Sequence, residues 1–152
     1  MAIAASDLDL DGDADLAVGY AGDCSKVSVF WNDGTGNFTS SSDLNTGISC
    51  DVSKSRKADI RVSDLNRDGV PDIVYAYPIG GGNNNLAIFL GNGDGTFTTA
   101  YNYALGTTSG SCWQAARADI DQNDFNNDGM PDLAVSISDN HQIYILLGIP
   151  QP

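Results

Sequence analysis

Oxygen-bearing side chains recur at the same four places in three nine-residue segments, 7–15, 64–72 and 124–132. Position one is Asp7, Asp64 and Asp124; position three is Asp9, Asn66 and Asn126; position five is Asp11, Asp68 and Asp128; position nine is Asp15, Asp72 and Asp132. Oxygen donors at alternating positions of a short loop are what Ca²⁺ takes. Position six is glycine each time (Gly12, Gly69, Gly129), and glycine enters positive φ at little cost, which turns the backbone around an ion. The carbonyl of position seven (Asp13, Val70, Met130) would complete the shell, giving about three Ca²⁺ per chain. A solvated acidic turn accounts for one such segment, but spacing held three times favours the ion.

The residues that follow exclude an EF-hand, because position twelve is Val18, Tyr75 and Val135 rather than a bidentate Glu. Catalysis finds little material. The only histidine, His141, has no Ser or Cys partner recognisable by motif, and a chain without Glu cannot supply a Glu acid/base pair. Five protein ligands per segment leave room for little besides the ion, which favours structural over Lewis-acid metal. The expectation is a protein that is not an enzyme.

Each segment must be positioned by strands. The continuations Leu16-Ala17-Val18-Gly19-Tyr20, Ile73-Val74-Tyr75-Ala76-Tyr77 and Leu133-Ala134-Val135-Ser136-Ile137 are short, apolar and β-prone. Ahead of the segments, Met1-Ala2-Ile3, Ala58-Asp59-Ile60 and Ala118-Asp119-Ile120 read as strand ends, the first of them beginning halfway. Val27–Trp31, Leu86–Leu90 and Ile143–Leu147 read as third strands facing the core. Asn32-Asp33-Gly34-Thr35-Gly36-Asn37-Phe38 and Gly91-Asn92-Gly93-Asp94-Gly95-Thr96-Phe97 follow as Asp-Gly hairpin turns. Asp7, Asp64 and Asp124 stand 57 and then 60 residues apart, the spacing of an array of like units. The expected fold is all-β, with four-stranded antiparallel meanders of β-propeller blade type.

These segments, strands and turns together resemble the FG-GAP or VCBS repeat of the integrin α-subunit propeller and of related secreted proteins. The likeness covers nearly the whole chain. It implies bladed architecture, one Ca²⁺ per segment-bearing blade and an extracellular adhesive or carbohydrate-binding setting; the family includes lectins. The chain reads as a single repeat region over 1–152, with blades at about 1–46, about 52–105 and about 112–148, the last lacking its final strand. Such a region is an incomplete propeller or part of a larger assembly, because bare strand edges and half-covered blades are normally paired or capped. The chain is therefore expected to be a homo-oligomer or part of a longer protein.

Composition narrows the partners. All 20 acidic residues are Asp, five in the first segment and three in each of the others, and the net charge is −13. Acidity of this kind argues against nucleic acid and anionic membranes. No stretch approaches the roughly 18 apolar residues of a membrane helix, so no membrane insertion is expected. An export signal is absent or already removed, and millimolar extracellular calcium suits the loops.

Strand alternation puts the Asp-rich segments and the hairpins at one end of the blades. The long loops at the other end are where a glycan or protein ligand is expected, with Tyr20 and Trp113 able to stack on a sugar and Asn83, Asn84 and Asn85 able to hydrogen-bond to it. A capping Trp and a flexible Gly-Asn turn are the plainer reading of the same residues. All three cysteines fall at that end, and Cys24 with Cys50 is favoured over Cys50 with Cys112 because one blade supplies both. Two roles stand open: a calcium-stabilised extracellular adhesion or ligand-binding module of lectin-like kind, and a structural unit that self-assembles into a ring or fibre through exposed blade edges.

Overall fold

The computed structural model describes residues 1–20, 23–49, 57–78, 86–105, 118–137 and 142–148, and among these every regular element is a strand. Three separate antiparallel sheets form. The first joins β1 (Ala2–Ser6), β2 (Asp15–Gly19), β3 (Lys26–Asn32) and β4 (Phe38–Asn45) in chain order. The second joins β5 (Asp59–Ser63), β6 (Asp72–Ala76), β7 (Leu86–Phe89) and β8 (Tyr101–Tyr103) in the same way. The third holds β9 (Ala118–Asn123), β10 (Asp132–Ile137) and β11 (Gln142–Leu146). Each is the open meander expected of a blade.

Period-two alternation decides which side of each sheet is buried. One face of the first sheet, carrying Ala17, Val27 and Val29, packs on Ile60, Ile73, Tyr75 and Phe89 of the second. The opposite face of the second, carrying Val74, Ala76 and Leu86, packs on Ile120, Leu133 and Val135 of the third. The middle sheet is thus covered on both sides, and all five residues of β6 are buried. First strands lie side by side, β1 against β5 and β5 against β9. Asp59 and Arg61 of β5 tie the second and third sheets at that inner seam: Ile120 N donates to Asp59 Oδ2 (2.9 Å), and Arg61 Nε donates to the Ile120 carbonyl (3.0 Å).

Gly19 shows how closely the first two sheets approach. A Cβ there would overlap Cε2 of Tyr75 and stand 2.9 Å from Cδ2, and the Tyr75 hydroxyl donates to the Tyr20 carbonyl (3.3 Å). The ring is buried, which pushes its phenol above the usual range. Gly19→Ala is expected to cost about 1–3 kcal/mol by overpacking, read as a lower urea midpoint with unchanged slope.

Two expectations about strands are corrected. β1 is not half a strand: all five of its residues pair with β2, from Ala2 opposite Gly19 to Ser6 opposite Asp15. β11 is not a core strand on both faces. Tyr144 and Leu146 pack towards the second sheet, but Ile143 and Ile145 are 72% and 51% exposed, because no further sheet lies beyond the third among the described residues.

The hairpins take the predicted Asp-Gly form. Asp33 Oδ1 accepts from the Thr35 hydroxyl (2.7 Å) and amide (3.0 Å), and Asp94 Oδ1 accepts from the same two groups of Thr96. Those hydroxyls, then the amides, hold both carboxyls below the usual carboxylate range. Depressed folded-state values mean that this stabilisation is full above the unfolded pKa of about 3.9 and is lost as pH falls through the folded values. An NMR titration is expected to show Asp33 protonating at lower pH in the wild type than in Thr35→Ala.

Candidate functional site

The three Asp-rich segments are the β1–β2, β5–β6 and β9–β10 turns, and they share one backbone path. Glycine at position six has positive φ in each (100°, 87° and 87°). So does the non-glycine residue at position four: Leu10, Arg67 and Asn127 sit at 63°, 61° and 58°. Two left-handed residues bracketing position five curl the chain so that successive amides point at the preceding carboxylates. Position one accepts from the amide of position six (Asp7, 3.0 Å; Asp64, 2.9 Å; Asp124, 2.9 Å). Position three accepts from position five (Asp9, Asn66, Asn126), and position five accepts from position seven (Asp11, Asp68, Asp128).

Position nine has a role that sequence reasoning missed. Asp15, Asp72 and Asp132 are fully buried, and each carboxylate spans two chain segments. One oxygen accepts from the amide of position two: Leu8 (2.9 Å), Leu65 (2.8 Å) and Phe125 (2.8 Å). The other accepts from a residue at the end of the third strand or just past it: Asn32 (2.9 Å), Gly91 (2.9 Å) and Gly148 (2.7 Å). A Cβ on Gly91 or Gly148 would overlap the carbonyl of Pro71 or Pro131, so glycine is what allows the close approach. Asn32 does the same work in the first sheet, adding a bond from Nδ2 to the Ala14 carbonyl (3.1 Å). The signal for this was a Gly or Asn recurring just after the third strand.

The three turns differ in how their carboxylates converge. Asp7, Asp9 and Asp15 offer oxygens that all lie within 4.8 Å of one another, the one group of this kind among the described residues. Asp7 Oδ1 is buried without a hydrogen-bond partner. Burial first, then the charges of Asp15, Asp11 and Asp7, push the Asp9 carboxyl up against the pull of the Asp11 amide. Carboxylate oxygens gathered this closely repel one another, and the donor set fits a cation, which would relieve that repulsion. Asp11 lies outside that group, and Asp13 extends its side chain towards Gly34 of the neighbouring hairpin.

In the second and third turns the carboxylate oxygens are engaged within the loop. Asp64 and Asp124 each accept amides at both oxygens, and the Asn66 and Asn126 amides donate to Asp68 and Asp128 (2.8 and 2.9 Å). Burial, then Asp68 and Asp64, raise the Asp72 carboxyl against two amide bonds. Val70 and Met130 occupy position seven, with their amides on position five.

Of the residues expected to meet a ligand, only Tyr20 is described; Asn83, Asn84, Asn85 and Trp113 lie outside the described residues, as does Cys50. Tyr20 donates to Ser28 Oγ (3.2 Å), and Lys26 Nζ stands 5.7 Å over its ring, so that face is partly taken. Cys24 is buried and disulfide-bonded, with Sγ 3.5 Å from the Ile48 carbonyl. A cleft of about 320 Å³ opens instead between the second and third sheets, lined by Tyr101, Tyr103, Ile88, Leu133, Leu146 and Asn66. Tyr101 and Tyr103 project from one face of β8 and are largely exposed. No described helix is long and apolar enough to cross a membrane.

A family model described as FG-GAP-like repeat matches residues 7–75 and 64–123. No curated protein sequence matches the chain. A solved structure of an Agrocybe aegerita lectin, described as specifically recognising non-reducing terminal N-acetylglucosamine, is similar at a TM-score of 0.54 and 22% identity. The match covers 96% of this chain and 38% of the lectin, so the chain spans well under half of that structure's length.

Proposed function

The chain belongs to the FG-GAP-like repeat family, and from that premise we propose that it is a calcium-binding, glycan-binding module of the extracellular space. The observation that carries the metal half is the first turn, where three carboxylates converge and Asp7 Oδ1 is buried unpaired. Asp7, Asp9, Asp11, Asp15 and the Asp13 carbonyl would hold one ion, and the corresponding residues of the other two turns one each. Calcium bound there acts as a staple: it neutralises the carboxylates and stiffens turns already joined to the third strands by position nine.

The glycan half draws on two supports. The lectin shares the fold, and the cleft between the second and third sheets offers two adjacent tyrosines of the kind that stack on a sugar ring. A binding rather than catalytic role is favoured because the clustered carboxylates are hydrogen-bonded into the turns. The Cys24 disulfide favours an oxidising compartment, consistent with millimolar calcium.

Native mass spectrometry of the chain with calcium and a panel of oligosaccharides tests both halves. Three calcium ions per chain are expected, with an oligosaccharide adduct that Tyr103→Ala abolishes. A chain that takes up no calcium sinks the metal reading, and one whose adducts are indifferent to Tyr103→Ala sinks the cleft.

A further inference from the structure

The outer faces of the first and third sheets are each built like a face that is buried elsewhere in the same chain. On the first sheet, Ile3, Leu16, Val18 and Phe30 occupy the register positions that Ile120, Leu133, Val135 and Leu146 occupy on the third: in each case the second-strand residue at position ten (Leu16, Leu133) pairs across to Phe30 or Leu146. Those residues of the third sheet are what pack on the second. On the third sheet, Ala134, Ile143 and Ile145 occupy the positions of Val74, Leu86 and Ile88, the face of the second sheet that receives them. On the first sheet Ile3 is 55% exposed, Leu16 and Phe30 are half-buried and Val18 is already covered within the chain; on the third, Ile143 and Ile145 are 72% and 51% exposed. Ile143 and Ile145, two large apolar side chains at alternate positions of β11, form an exposed pair of the kind that marks an interface.

We propose that a second copy of this chain lays the outer face of its first sheet on the outer face of the third sheet, repeating between chains the packing that joins the second sheet to the third. The match is between unlike faces, so the contact is head-to-tail, and the angle between successive sheets decides whether it closes into a ring or propagates. Contact runs through sheet faces and not strand edges: β4, the outer edge of the first sheet, is polar and exposed along Thr39–Asp43, as edges that avoid pairing are. One feature of the internal seam is altered. Arg61, which donates to the Ile120 carbonyl, is replaced at the equivalent place on β9 by the exposed Asp121, so the contact between chains lacks that donor.

The test is sedimentation velocity in about 0.15 M salt, where a screening length of about 8 Å limits repulsion between chains of net charge −13. Wild type is expected to sediment at twice the chain mass or more at about 100 μM, a concentration that detects even weak specific contacts. Ile3→Asp and Ile145→Asp each spoil one face and leave the other intact. Each alone is expected to be monomeric, while their equimolar mixture forms a one-to-one dimer through the two unspoiled faces. That rescue also shows that both variants are folded. A monomeric wild type, a single variant that assembles as wild type does, or a mixture that stays monomeric would each overturn the proposal.

Discussion

Replacing Asp72 by alanine is expected to lower the stability of the calcium-free protein by about 2–4 kcal/mol, because two backbone amides lose their only acceptor at once. The Leu65 amide lies in the turn and the buried Gly91 amide at the end of the third strand, and the carboxylate is what joins them. A total stability of about 5–15 kcal/mol makes such a loss severe. Part of it is offset, since burial already raises the Asp72 carboxyl and removing the charge relieves that strain. Two controls separate the clamp from the charge. Asp72→Asn keeps one acceptor oxygen and should fall between wild type and alanine. Asp68→Ala removes an exposed carboxylate bonded to Val70 N and Asn66 Nδ2, and should cost about 1 kcal/mol or less. Urea denaturation in excess chelator reads all three; an Asp72→Ala midpoint indistinguishable from that of Asp68→Ala would dispose of the clamp.

Calcium itself should produce the larger shift. At a hundredfold excess over its dissociation constant each ion adds about 2.7 kcal/mol, so three independent sites would add about 8 kcal/mol. Asp9→Ala makes the effect specific to the first turn. In chelator the variant is expected to be as stable as wild type or slightly more so, because the Asp9 carboxyl sits against Asp15, Asp11 and Asp7 with no counter-charge. In calcium it is expected to be less stable by about the contribution of one ion. The deficit of the variant therefore appears only in calcium and is absent or reversed in chelator, which a purely structural role for Asp9 cannot produce. Thermal unfolding with and without calcium is the measurement, and a wild-type midpoint unmoved by calcium would rule the ion out.

The two expectations draw on different kinds of information. That Asp9 belongs to an Asp-rich turn curled at Gly12 was legible in the spacing of Asp7, Asp9, Asp11 and Gly12, because turn chemistry is local: glycine and short polar side chains dictate the backbone path over a few residues. The strands were legible for a similar reason, since the apolar runs after each segment are short and rich in β-prone residues. The meander followed from short connections between neighbouring strands.

Asp72 shows what the spacing left open. Its place in the segment marked it only as one more candidate ligand, yet its carboxylate bonds the Gly91 amide, 19 residues along the chain. That partner follows from the register of β6 with β7. Ile145 is a second case: its type and strand predicted a core residue, but whether its side of the sheet is covered depends on whether another sheet lies beyond. Local pattern determined that this chain builds Asp-rich turns on antiparallel meanders, because those choices are made within a few residues. Only the tertiary structure decided which carboxylates converge, which amides they bind and which apolar faces stay open, because these depend on distances between segments far apart in the chain.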